Sequence, residues 1–285
     1  MSKTNKTFKI EWLGYPGLLG LVGFIWEPLR GFRILLLLCL FFAAPYRKNP
    51  RLLFFVIIYA LGQAWAFILA RGRLPRPDSY AQRTGFILPF KGRWHVESGG
   101  VNRSDSHSWH VPNQRYAYDF FIKDDQGRTH AGEGRKLEEY FCFGEPVCAP
   151  AGGVVVRAND GIPDNPQLGE VDWKARNPHG NYLVIQHDNG EYSHLAHFKN
   201  ESLEVSLGDR VEQGQRIGRC GNSGHSTEPH LHFHVQNRAG FFSSLGLPVT
   251  FSHVVVFEDG KCRRMERGYL FKGENVMNEE IPRAL

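Results

Sequence analysis

The rhythm of hydrophobic positions changes near residue 70. Before it they come in runs: Tyr15–Trp26, then Arg33–Tyr46 with Ile34–Phe42 at its centre, then Leu52–Ala70, whose only strongly polar member is Gln63. The third run matches the roughly 17–25 residues that span a bilayer. The second is short for a span unless flanking residues help, and the glycine-rich first one suits the interface. With Arg47, Lys48, Asn49, Pro50 and Arg51 as a tight connector, the pattern predicts a helical hairpin in lipid. A cleaved signal peptide fits poorly, because the run at Ile34 begins too late. After a polar linker, Arg71–Arg83, containing Pro75, Pro77 and Asp78, helical periodicity becomes sparse. Short segments of strand character follow at Leu88–Val96, Arg115–Ile122, Val154–Ala158, Gly180–His197, Val205–Gly218, His230–His234, Pro248–Phe257 and Arg267–Val276. The expected fold is mainly β: a compact antiparallel β-sheet or barrel-like domain over 84–285, joined by the linker 71–83 to an N-terminal membrane anchor of transmembrane helices over 1–70.

Charge follows the same division. Residues 1–76 carry eleven Lys and Arg against Glu11 and Glu27, a formal +9, while the remainder carries 23 basic and 27 acidic residues, a formal −4. The net +5 therefore belongs to the segment around the apolar runs and gives no argument for a nucleic-acid partner. Basic residues on the two sides of Leu52–Ala70 balance, so orientation does not follow from them. All thirteen histidines lie at or beyond His95. Cys39 falls in the second apolar run; Cys142, Cys148, Cys220 and Cys262 form no Cys-x-x-Cys pair, and either disulfides or buried free thiols fit them.

The candidate chemistry centres on Gly221–His234. Gly221, Asn222, Ser223 and Gly224 suit a loop that needs positive φ and side-chain-to-backbone bonds. After Pro229, the alternation His230, Leu231, His232, Phe233, His234 puts three imidazoles on one strand face, neighbours roughly 6–7 Å apart. A second signal is Asp119, a carboxylate among Tyr116, Tyr118, Phe120 and Phe121, which is costly to bury unless hydrogen-bonded or bound to a metal.

The segment from about Val147 to Val235 resembles the zinc endopeptidases of the lysostaphin-like family, M23, whose domain is often called LytM-like. The resemblance rests on Pro229–Phe233 with its Gly-Asn-Ser-Gly-x-Ser-Thr lead-in, on the glycines at 208, 214 and 218, and on Tyr192, Ser193, Ala196 and His197. It implies a Zn²⁺ cofactor, with His232 and Asp119 as ligands and His197 and His230 as catalytic residues beside the water and the developing oxyanion. It implies peptidoglycan peptides as substrate; with the apolar runs anchoring the chain in the cell membrane and contacting lipid, that substrate puts the peptidase domain outside the cytoplasm. The family commonly places a ligating His four residues before the Asp. That position is Arg115 here, and arginine stays protonated and cannot bind zinc. His110 and His107 in the preceding loop are the available substitutes. His110 is the expected third ligand, since Val111-Pro112 can turn it back over the strand and Ser106 and Ser108 read as a solvated setting for His107. If Arg115 instead marks a degenerate site, the alternative function is a non-catalytic LytM-like module that binds wall peptides or activates another wall hydrolase.

Overall fold

The computed structural model describes residues 50–279, apart from 173, 174, 176, 259 and 260, together with isolated residues between 18 and 37; the side chains at 50–53 and 55 are also outside the description. Most of the first two apolar runs, and the connector before Pro50, thus lie outside the described residues. The chain divides into two compact units, Met1–Leu61 and Gly62–Leu285.

One long helix, α1 (Pro50–Leu69), covers the third apolar run. Among the described residues no helix is long and apolar enough to cross a membrane. Within the second unit the end of α1 meets the 241–244 turn: Gln63 Nε2 donates to Phe242 O at 2.9 Å and to Ser244 O at 3.3 Å. Gly62 lies so close to Phe242 O that a Cβ would stand 2.2 Å from it.

The remainder is β, as the period-two rhythm requires. Among the described residues eleven strands form one antiparallel sheet: β1 (Trp94–Ser98), β2 (Tyr118–Phe121), β4 (Gly153–Asn159), β5 (Asn181–Gln186), β6 (Tyr192–Phe198), β7 (Arg210–Val211), β9 (Leu231–Gln236), β10 (Gly246–Leu247), β11 (Phe251–Glu258), β12 (Lys261–Gly268) and β13 (Asn275–Asn278). Their order is β12-β11-β13-β1-β2-β9-β6-β5-β4-β7, with β10 on β9; β3 (Pro146–Cys148) and β8 (Arg216–Arg219) pair separately. The path has two ends, β12 and β7, so among the described residues the sheet is open, and of the expected sheet or barrel-like form it is the sheet that is seen. Its core is formed by Phe86, Trp94, Tyr118, Phe120, Leu183, Ile185, Leu195, Phe233 and Phe251, all at 1% exposure or less.

The strand predicted over Arg115–Ile122 is shorter, because turn bonds hold its beginning. Gln114 N donates to Val111 O and Ala117 N to Gln114 O. Arg115 turns to the Trp109 side, its Nε donating to Trp109 O at 3.2 Å and its guanidinium 5.1 Å from that ring. Among the described cysteines all four are free thiols, Cys142, Cys148 and Cys220 buried and Cys262 exposed.

The loop 221–226 is locked to the start of β5 by two glycines in left-handed conformation, Gly180 at φ 61° and Gly224 at φ 81°. A Cβ on Gly224 would stand 2.3 Å from Gly180 N and 2.6 Å from Pro178 O, both backbone atoms that cannot swing aside. Gly224→Ala is therefore expected to cost roughly 2–4 kcal/mol, strain and overpacking together. Gly190→Ala, at φ 76° with open space around it, carries only the backbone strain of about 1–2 kcal/mol. Urea unfolding of the two variants measures the difference; equal losses would contradict the interlock.

Candidate active site

Strand register assembles the site. β9 lies between β2 and β6, with His232 opposite Asp119 on one side and Ala196 on the other. Asp119 also faces Ser98 of β1. Cross-strand partners stand about 4.5–5.5 Å apart at Cβ, so a short carboxylate and an imidazole reach each other without distortion. Asp119 Oδ1 lies 2.8 Å from His232 Nδ1 and 3.8 Å from His230 Nε2.

The other carboxylate oxygen meets the 99–112 loop. Asp119 Oδ2 is 3.0 Å from His107 Nδ1. Ser98 holds that histidine, its Oγ accepting from His107 N at 3.0 Å and lying 2.9 Å from His107 Nδ1. His110, the expected ligand, is exposed, and among the described residues it makes no ion pair with Asp119, whereas His107, His230 and His232 do. The loop thus folds back at His107 rather than at the Val111-Pro112 turn. The serines that suggested a solvated setting are buried, Ser106 at 7% and Ser108 at 5% exposure, and Ser108 N donates to Ser106 Oγ.

His197 and His230 stand together, ring centroids 4.7 Å apart, with His197 5.9 Å from His232. Each has one nitrogen on a backbone carbonyl: His197 Nδ1 on Ser223 O at 2.8 Å and His230 Nδ1 on Glu228 O at 2.8 Å. A carbonyl only accepts, so Nδ1 carries the proton and Nε2 keeps its lone pair. Phe121 stacks on the His230 ring at 5.1 Å. His197 has φ 63°, an uncommon left-handed conformation for a residue other than glycine, and the surrounding loop maintains it.

A third group lies behind these. His179, His194 and His234 are buried at 8%, 1% and 1% exposure, and His194 stacks between Tyr182 and His234. Strand alternation showed His234 on the His232 face; the packing of His194 against it follows from the pairing of β6 with β9, which sets the two opposite each other.

Electrostatics separate the groups. Burial, the largest effect on Asp119, opposes its ionisation, but His107 and His232 outweigh burial and hold the carboxyl well below its usual range. The Asp119 charge raises the His107 pKa against partial desolvation. Burial lowers His230, takes His194, His197 and His234 well down, and takes His179 to about 3. A carboxylate with two imidazoles is a donor set that suits a divalent metal. Among the described residues, no three such side chains already surround a common point at ligand distance. The spacings of 2.8 and 3.0 Å are hydrogen-bond lengths to different oxygens of the carboxylate, bonds that a metal held by these residues would replace.

The buried histidines predict an acid-labile fold. Above pH 6.5 they are neutral in both the folded and unfolded chain. Below it the unfolded chain binds protons that the folded chain refuses until its lower pKa values are reached, so stability falls as pH drops. His107 acts oppositely, contributing stability below 6.5 that is lost as pH rises through its folded value, but it is one group against several. Each net proton changes stability by roughly 1.4 kcal/mol per pH unit. Urea midpoints in chelator should fall between pH 7 and 5, and His179→Gln should flatten that fall; a level profile would contradict the neutral cluster.

Residues 139–242 match Peptidase family M23. The chain is 36% identical over 93 residues to the peptidoglycan DD-endopeptidase ShyA of Vibrio cholerae serotype O1, an overlap of 32% of this chain and 19% of that protein. It is 31% identical over 121 residues to the glycyl-glycine endopeptidase ALE-1 of Staphylococcus capitis, covering 41% and 27% respectively. It thus spans under a third of the length of these relatives. Among solved structures, a zinc-containing peptidase from Vibrio cholerae aligns with a TM-score of 0.36 at 23% identity, over 59% of this chain and 40% of that one. His197, His230 and His232 fall inside the matched segment while His107 and Asp119 precede it, and residues 139–242 are a Peptidase family M23 domain.

Proposed function

We propose that the chain is a zinc-dependent endopeptidase that hydrolyses peptide bonds of cell-wall peptidoglycan. The observation that carries this reading is the ionised Asp119 carboxylate held between His107 and His232, with two neutral histidines, His197 and His230, beside it. His107, Asp119 and His232 would hold the zinc, so His107 takes the place expected of His110. Bound there, zinc supplies a lowered pKa for a water molecule and polarises the scissile carbonyl.

The residues of the chain supply the proton handling. His197 and His230 are kept neutral by burial and keep their Nε2 lone pairs because Nδ1 is committed to a carbonyl. Either ring can accept a proton from the attacking water and return it to the leaving amine. The ring that has gained a proton can donate to the developing oxyanion. The relatives' names, DD-endopeptidase and glycyl-glycine endopeptidase, support peptidoglycan as the substrate class. The non-catalytic alternative drew its support from Arg115, and the presence of His107 beside Asp119 weakens it.

The same reading places the chain at the cell membrane, anchored by its N-terminal apolar runs, with the domain on the outer side. Supporting this are the composition of Leu52–Ala70 and the exposed Phe54, Ile57, Leu61, Trp65 and Ile68 along α1. Carbonate extraction of membranes tests it: release of the full chain into the soluble fraction would remove the anchor.

The site assignment has a direct test in metal content and hydrolysis of purified wall sacculi. His107→Ala and His232→Ala should lose zinc, and His110→Ala should keep it. His197→Ala and His230→Ala should keep zinc but lose roughly 10²–10⁴-fold in rate. Zinc lost from His110→Ala and retained by His107→Ala would reverse the ligand assignment.

A further inference from the structure

We propose that His234 is a positioning residue for His232, fixing which of its nitrogens faces the Asp119 side. The proposal rests on the reading of His232 as a zinc ligand. β9 alternation places His232, His234 and Gln236 on one face, and they are linked in series. His232 Nε2 lies 3.0 Å from His234 Nδ1, and His234 Nε2 lies 3.1 Å from Gln236 Oε1. Ser244 Oγ donates to the same Gln236 oxygen at 2.9 Å. The three β9 side chains and Ser244 are at 4% exposure or less, so water does not substitute for these partners. The His234 ring plane is set by stacking on His194 at 4.7 Å, with Tyr182 on the far side of His194.

Bonded to the Asp119 carboxylate, His232 keeps its proton on Nδ1. To ligate through that nitrogen, the neutral ring must carry its single proton on Nε2. A buried N–H without an acceptor would disfavour that tautomer. His234 Nδ1 is the acceptor in place. In that ligating state His234 carries its own proton on Nε2, which the oxygen of Gln236 receives. The series therefore makes the ligating tautomer of His232 affordable and holds its ring angle, the task that carboxylates or carbonyls perform behind ligating histidines elsewhere. The end of the series is tied to α1, since Ser244 O accepts from Gln63 Nε2.

Two substitutions in the full chain separate an acceptor role from mere packing. His234→Leu removes the acceptor. His234→Asn puts Oδ1 where Nδ1 stands, both atoms being two bonds from Cβ. In competition with a chelating dye, zinc should bind 10–100-fold more weakly to the leucine variant and within about threefold of wild type to the asparagine variant. In zinc-loaded wild type, a ¹⁵N–¹⁵N coupling across the bond should join His232 Nε2 to His234 Nδ1, and this readout does not depend on a variant folding. Wild-type affinity in a folded leucine variant would overturn the positioning role, as would equal losses in both variants or no such coupling. A wild type that takes up no zinc would instead overturn the metal reading itself, and the positioning role with it.

Discussion

The pairing of Asp119 with His232 across β2 and β9 is the constraint on which the site depends. A carboxylate at 14% side-chain exposure stays ionised only if its charge is met, and it is met from both sides. His232 comes from the adjacent strand and His107 from a loop returned by Ser98. The register that makes this contact is the same one that buries Tyr118, Phe120, Leu231 and Phe233 in the core. A slip of one residue would turn both sets to the wrong faces, so folding and site assembly share one requirement.

Around that charge the protein arranges imidazoles that differ in state because their surroundings differ. His107, half exposed and beside the carboxylate, is stabilised as a cation; His197 and His230, more buried and bonded to carbonyls, are kept neutral. Both keep an Nε2 lone pair next to a paired carboxylate, because Nδ1 of each is committed to a backbone carbonyl. The buried His179, His194 and His234 extend the cluster inward, with two nitrogens on His194 and one on His179 lacking hydrogen-bond partners among the described residues. Burying them costs stability, and that cost accompanies a rigid aromatic backing for β9.

Loop geometry then places the second pair. Ser223 O receives the His197 proton, and Ser223 Oγ both accepts from Asn181 N and donates to Phe198 O. Asp164, in the polar insertion before β5, accepts from the backbone of Asn222 and Asn200. The glycines at 180 and 224 permit the approach that these bonds need. His197 in turn sits where β6 leaves the sheet, its left-handed backbone held by bonds on either side: its N to His179 O and its O from Gly221 N.

Much of this was legible in the sequence, because local pattern carries it. Period-two alternation marks β9 and puts His230, His232 and His234 on one face, and a carboxylate among aromatics marks Asp119 as a residue needing partners. The glycine-rich lead-in marks a loop with positive φ. Whether the sheet closes was not legible, since closure depends on which strands become neighbours over long separations. The choice between His107 and His110 was not legible either. Both sit in one loop before Asp119, and it is His107 that meets the Ser98 hydroxyl on β1, through its backbone N at 3.0 Å and its Nδ1 at 2.9 Å. That contact exists only after β1 has paired with β2, and the serines that looked solvated are buried by the same packing. The sequence alone thus determined the strands that carry the site, their faces and the chemical types on them, but it ran Arg267–Val276 as one strand where the chain forms the end of β12, a turn and the start of β13. The tertiary structure decided which side chains meet, because strand pairing and loop return bring together residues that no local rule connects.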